Sequence, residues 1–204
     1  MANQPMPQPR SDRRDQILQA LAAMLEAGPE SKITTARLAQ QVGVSEAALY
    51  RHFASKTKMF EALIEFSEET IFSRVKLIVA DEQPAIETCN RILMLVLGFC
   101  ERNPGITRIL HGEALAGEPE RLHQRVVQLF DRLETQLRST LRQAELNEKI
   151  RTSIVLNDAA GLMLATAEGR ISQFVRSRFK RSATEGWNDQ WAIITADIMR
   201  PVPA

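Results

Sequence analysis

Three histidines, two cysteines and 25 acidic residues bound the catalytic and metal chemistry open to this chain. Glu120 and His123 stand three apart, as in half of a di-iron carboxylate site. That site needs a second E-x-x-H and two more carboxylates on facing helices, and no second copy occurs. His111, beside Gly112 and Glu113, lacks the P-C-x-x-C partner of a zinc deaminase. Cys89 and Cys100 form no C-x-x-C, so neither a thiolate zinc site nor a disulfide framework is indicated. No Gly-rich phosphate loop and no G-x-S-x-G elbow is present. The expectation is a protein with no catalytic site, no metal and no cofactor.

A different chemistry is concentrated in "VGVSEAALYRHFASK", residues 42–56. Ser45, Tyr50, Arg51 and His52 can donate to phosphate oxygens, and Lys56 adds a point charge. Thr34 and Thr35, just upstream, offer hydroxyls for the same purpose. Ala47 and Ala48 let a helix backbone come close to base edges, and an alanine methyl can meet a thymine methyl. Glu46 completes the candidate DNA-contacting set.

The elements that must position these residues are helical. Apolar residues recur at spacings of three and four almost throughout, and no stretch keeps a period of two. Ile17, Leu18, Leu21, Met24 and Leu25 mark a first helix closing near Gly28-Pro29. Thr34 is placed to cap a second over residues 35–42, with Leu38, Ala39 and Val42 inward and Gly43 ending it. Ser45 is placed to cap a third, with Glu46 near its positive dipole end. Leu49 and Phe53 face a small core. Three short helices with a tight Gly-containing turn fit a helix-turn-helix, whose second helix enters the major groove.

A long helix is expected from about Lys58 to Ala80, then a "DEQP" loop. The next helix is apolar nearly all round from Ile92 to Cys100 and is therefore central. Leu122, Val126, Leu129, Phe130, Leu133, Leu137 and Leu141 stripe a later one. A linker near Leu146–Arg151 leads to a helix over about 153–179, and a last one spans about 187–199. The fold class is all-α, with about nine helices. The longest apolar run, "ILMLVLGFC", is too short to cross a bilayer, which needs ~20 residues. The first residues have no apolar core and so form no secretory signal. A cytoplasmic location is expected. Net charge is +1. Residues 1–60 hold 8 Lys/Arg against 5 Asp/Glu, and the rest 18 against 20. This mild N-terminal excess decides nothing alone.

The stretch "ITTARLAQQVGVSEAALYRHFASKTKMFEALIE" resembles the DNA-binding domain of the TetR family over its whole length. The resemblance implies a flexible arm at 1–10, a helix-turn-helix domain at 11–57 and a helical dimerisation and partner-binding domain at 58–200. It also implies a homodimer on palindromic double-stranded DNA, paired through the last two long helices. The run "DAAGLMLATAEG" suits close helix packing there. Further along, "LGFCERNPGITRIL", "RLHQRVVQLFDRLETQLR" and "SQFVRSRFK" are similar to the nucleoid occlusion branch of the family. That similarity implies a nucleoid-associated protein that engages the C-terminal tail of the division protein FtsZ and antagonises its assembly. In that branch the tail lies between the fourth and fifth helices, which maps to Phe66, Arg74, Leu95, Gly98, Arg102 and Asn103 here.

Alternatives stand beside these expectations. By spacing alone, Phe66 and Leu95 can be core and the arginines solvated. The same head could serve a ligand-responsive repressor, which would need an internal cavity with converging polar groups. The basic cluster Arg176, Arg178, Lys180 and Arg181 could touch a membrane or DNA, but reads rather as a solvated helix end, where cations suit the negative dipole terminus.

Overall fold

The computed structural model describes residues 13–28, 33–148 and 150–201. The expected arm at 1–10 and the Pro29 stop lie outside the described residues. Among them are nine α-helices, one 3-10 turn and two three-residue strands. The head holds α1 (Arg13–Ala27), α2 (Thr35–Val42) and α3 (Glu46–His52). The body follows with α4 (Lys56–Ala80), α5 (Ala85–Arg102), α6 (Pro104–Leu110), α7 (Glu120–Asn147), α8 (Leu156–Arg176) and α9 (Trp187–Ile198).

The head folds as its caps dictate. Thr34 Oγ accepts from the Arg37 N–H at 3.2 Å and Ser45 Oγ from the Ala48 N–H at 3.1 Å, each satisfying an orphan donor of a helix start. Gly43 takes φ 73°, a left-handed cap that leaves α2 and turns the chain into α3. Ile17, Leu21, Leu38, Leu49 and Phe53 are buried together beneath the turn, while Val42 is only half-buried.

The helix α4 joins head to body. It starts two residues before the expected position, because Ser55 Oγ accepts from the Lys58 N–H at 3.2 Å and caps it. Its 25 residues span about 37 Å. The helix α5 is central, as its composition requires, with Ile92, Leu93, Val96 and Leu97 at most 1% exposed. The short α6 runs directly across α1. A Cβ placed on Gly105 would fall 1.9 Å from the Ala22 carbonyl oxygen, so only glycine permits this approach.

Three features depart from the sequence-based expectation. The helix α7 continues to Asn147, into the expected linker. The helix α8 is three residues shorter at each end than expected. Its C-terminal stop is set by Arg178 and Phe179, both in the left-handed region at φ 53° and 64°. Finally, β1 (Ile150–Thr152) and β2 (Met199–Pro201) form an antiparallel ribbon. Strands of three residues carry no usable alternation in sequence.

The connection between α8 and α9 is fastened from two sides. The Arg170 guanidinium donates to the carbonyls of Ser182, Ala183 and Glu185. The Glu101 carboxylate accepts from the Ser182 and Thr184 hydroxyls and the Ala183 N–H. Trp187 Nε1 donates to Asn90 Oδ1 at 2.7 Å, attaching α9 to α5.

Candidate nucleic-acid interface and partner groove

The helices α2 and α3 bring the candidate DNA residues to one end of the molecule. Ala47, Arg51 and His52 are exposed along α3, and Ala48 is half-buried. Tyr50 is 46% exposed, which a core aromatic would not be. Three of the polar residues are linked to each other. The Tyr50 hydroxyl donates to Thr35 Oγ at 3.4 Å, and Thr35 donates to the Glu46 carboxylate at 2.8 Å. This chain bridges α2 and α3 and fixes their relative setting. Thr34 and Ser45 use their hydroxyls as caps, so their part at the interface is to hold the helix starts, with any phosphate contact added to that.

Lys56 is the residue whose surroundings sequence reading missed. Its Nζ lies 2.7 Å from the Glu118 carboxylate and above the Phe60 ring at 5.3 Å from the centroid. Glu118 belongs to the turn before α7, 62 positions away, and nothing local in sequence signals the pair. A second cluster lies beside it. Glu61 accepts from Lys58 and Arg121, and its carboxyl sits below the ordinary range, because the Lys58 hydrogen bond outweighs burial. Arg125 pairs with Glu68 at 2.7 Å. These ions clamp the start of α4 onto α7.

The residues assigned to a partner groove fall on the face shared by α4 and α5. Arg74 and Leu95 line one shallow channel of about 510 Å³ with Leu77, Ile78 and Arg91. Leu77 is 71% exposed and Phe66 46%, with the Phe66 ring 6.3 Å from that of Phe99. Gly98 is a buried position of α5, and the nearest group over it is the Arg102 side chain, one turn on. A Cβ there would meet the Arg102 guanidinium at 3.2 Å and no backbone. Arg74 and Arg102 make no ion pair among the described residues, whereas Arg91 is held by Asp81. Asn103 has a structural use as well. Its amide donates to the Phe99 carbonyl at 2.8 Å, which makes it a fastener of the α5 end. Leu77, three residues after Arg74 on α4, lines the channel and is outside the sequence assignment, whereas Phe99 is core behind Phe66.

Among the described residues no group of three His, Cys, Asp or Glu side chains is placed to hold a metal. No helix is long and apolar enough to cross a membrane.

A helix-turn-helix head on an all-helical body defines a DNA-binding regulator of the TetR type. Residues 17–63 match the bacterial regulatory proteins of the tetR family, and residues 84–199 match the SlmA-like form of the tetracyclin repressor-like C-terminal domain. The chain is 52% identical over 190 residues to the nucleoid occlusion factor SlmA of Marinomonas sp. (strain MWYL1), covering 93% of this chain and 96% of that protein. It is 55% identical over 183 residues to SlmA of Alteromonas mediterranea, covering 90% and 94%. In structure it resembles the ketosteroid regulator KstR2 of Mycobacterium tuberculosis, with TM-score 0.74 at 20% identity over 95% of this chain and 97% of that one. The chain belongs to the SlmA nucleoid occlusion factors.

Proposed function

We propose that this protein binds dispersed palindromic chromosomal sites as a homodimer and, on the nucleoid, captures the C-terminal tail of FtsZ in the α4–α5 groove, antagonising FtsZ assembly there. Membership of the SlmA family supports nucleoid occlusion, and its relatives carry that name. The tail and its groove are a finer inference, which rests on the family resemblance and is supported by this chain's own surface.

The observation that carries the groove is Gly98. A glycine inside a helix is roughly 1 kcal/mol worse than alanine, so it needs a reason. At Gly105 the reason is a backbone 1.9 Å away. At Gly98, a buried position of α5, the nearest group a Cβ would meet is the flexible end of Arg102. The fold does not demand glycine there, whereas a peptide lying against α5 would. Around it stand the exposed apolar side chains of Phe66 and Leu77, the partly buried Leu95, and two cations, Arg74 and Arg102, that make no ion pair among the described residues. This combination suits a short acidic and apolar segment. Pairing through α8 and α9 is supported by Leu162, 47% exposed, and Ile193, 76% exposed. Gly161 and Ala165 lie beside Leu162 and permit close approach.

The test is fluorescence anisotropy of a labelled FtsZ tail peptide, with and without a palindromic duplex selected from a random pool. Wild-type protein should bind the peptide. Gly98→Phe and Arg102→Glu should abolish binding while keeping DNA affinity and the melting temperature. Folded variants that bind the peptide at wild-type strength would refute the groove. No binding by wild-type protein would favour the ligand-responsive repressor.

A further inference from the structure

The N-terminus of α4 is an electrostatically unfavourable place for a lysine. Helix dipoles favour anions at that end and disfavour cations. The first turn of α4 nevertheless carries Lys56 and Lys58 and no acidic residue. Lys58 is answered within its own helix by Glu61 at 2.5 Å. Lys56 is answered from outside the helix, by Glu118 at 2.7 Å. The Glu118 side chain is only 12% exposed against 36% for Lys56. The carboxylate therefore reaches Lys56 from the protected side, and the ammonium keeps an open side.

Glu118 has no other side-chain partner among the described residues. Its backbone N–H donates to the Leu115 carbonyl at 2.9 Å and holds the turn without help from the carboxylate. We propose that Glu118 is an internal competitor for DNA: in the free protein its carboxylate occupies Lys56, and a backbone phosphate must displace or share it. Glu118 thereby sets DNA affinity without touching DNA. The inference rests on the proposed role of Lys56 as a phosphate contact.

The chemistry is an exchange of anions at one ammonium. Free protein holds Lys56 against a carboxylate, and bound protein holds it against a phosphate oxygen. Part of the attraction available to phosphate is already spent in the free state. Neutralising Glu118 removes both the competing pair and a negative charge beside the duplex. Solvent-exposed ion pairs contribute about 0.2–1 kcal/mol, so freeing Lys56, the more open partner here, should raise affinity by about 1.4- to 5-fold per subunit.

The experiment measures binding of the selected palindromic duplex over a salt series. It compares wild type, Glu118→Gln, Lys56→Ala and the double variant, each checked by a thermal melt. Glu118→Gln should tighten binding, most at low salt, where screening is weakest. Lys56→Ala should weaken binding and lower the salt slope by about one per subunit. In the double variant the gain from Glu118→Gln should vanish, because no ammonium is left to release. Glu118→Asp, which keeps the charge but shortens the reach, should give a smaller gain than Gln and guards against a folding defect in one variant. If Lys56→Ala weakens binding but Glu118→Gln changes nothing, the competition is refuted. If the Gln gain persists undiminished in the Lys56→Ala background, Glu118 acts only as a distant charge and the competition is again refuted. If Lys56→Ala leaves both affinity and slope unchanged, it is the phosphate role of Lys56 that fails.

Discussion

Replacing Gly105 with alanine should damage the joint between head and body. The added Cβ would sit 1.9 Å from the Ala22 oxygen, 2.8 Å from its carbonyl carbon and 3.0 Å from the Glu26 nitrogen. All three are backbone atoms of α1, so no side chain can swing aside. Even the tightest tolerable contact, about 3 Å, requires α1 and α6 to separate by about 1 Å. A gap of that size forfeits a quarter to a half of the dispersion energy along the seam, where Leu21, Leu25, Ile106 and Ile109 are buried. Overpacking of this kind costs about 1–3 kcal/mol. For a chain of this length, that lowers the melting temperature by about 2–12 °C. Circular dichroism at fixed protein concentration measures it, and anisotropy on the selected duplex should show weaker DNA binding, since α1 carries the head. Gly98→Ala is the matched control. It gains up to roughly 1 kcal/mol of helix propensity and displaces only Arg102, so it should melt at or above wild type. If Gly105→Ala melts like wild type, or Gly98→Ala is the more damaging change, the backbone contact is not what fixes glycine at 105.

Thr34→Ala should cost about 1 kcal/mol, because the α2 cap to the Arg37 N–H is lost. Binding and melting temperature should then fall together, and a loss of affinity with no loss of stability would mean that the hydroxyl acts only on DNA. Burial opposes ionisation of Glu101, but hydrogen bonds from Ser182, Thr184 and Ala183 outweigh it and hold the pKa below its usual 4.5. A depressed carboxyl contributes stability above its unfolded pKa and loses it as pH falls through the folded value. Acidification below about pH 4.5 should therefore loosen the 177–186 connection. Fluorescence of Trp187 and Trp191, the two tryptophans of the chain, would report it, and Glu101→Gln should flatten that acid limb. Burial raises the thiols of Cys89 and Cys100 to about 12, with the Glu148 charge adding to the first and a Thr107 hydrogen bond partly offsetting the second. Neither should react with a disulfide reagent at pH 8 in native protein, and rapid labelling of either would contradict its burial.

What was legible in sequence was local. Thr34, Gly43 and Ser45 announce the ends of α2 and α3 because each acts on a backbone group within three or four residues. The unbroken apolar content of Ile92–Cys100 announces a central helix for a similar reason. What escaped was tertiary. Lys56 finds Glu118, Arg170 gathers carbonyls from the connection that follows its helix, and Asn90 meets Trp187 across 97 positions. Asn103, which the resemblance maps to the groove, also uses its amide on its own helix end, a bond that sequence does not announce. The start of α4 was a local miss, since Ser55 carried the same capping signal as Ser45. The ribbon was hidden because three residues are too few to display a period.

That ribbon also has a consequence for the order in which the molecule is made. Ile150 is registered with Pro201, so α8, the connection and α9 lie in one closed loop. On the ribosome, residues 13–147 are complete before this loop can be shut. At about 5–20 residues per second, the interval from β1 to β2 lasts about 3–10 s. During that time α8 and α9 rest on α5 and α7 without the ribbon to close the loop. If the subunits pair through α8 and α9 as proposed, that surface is the last to be synthesised, and dimer assembly should come late.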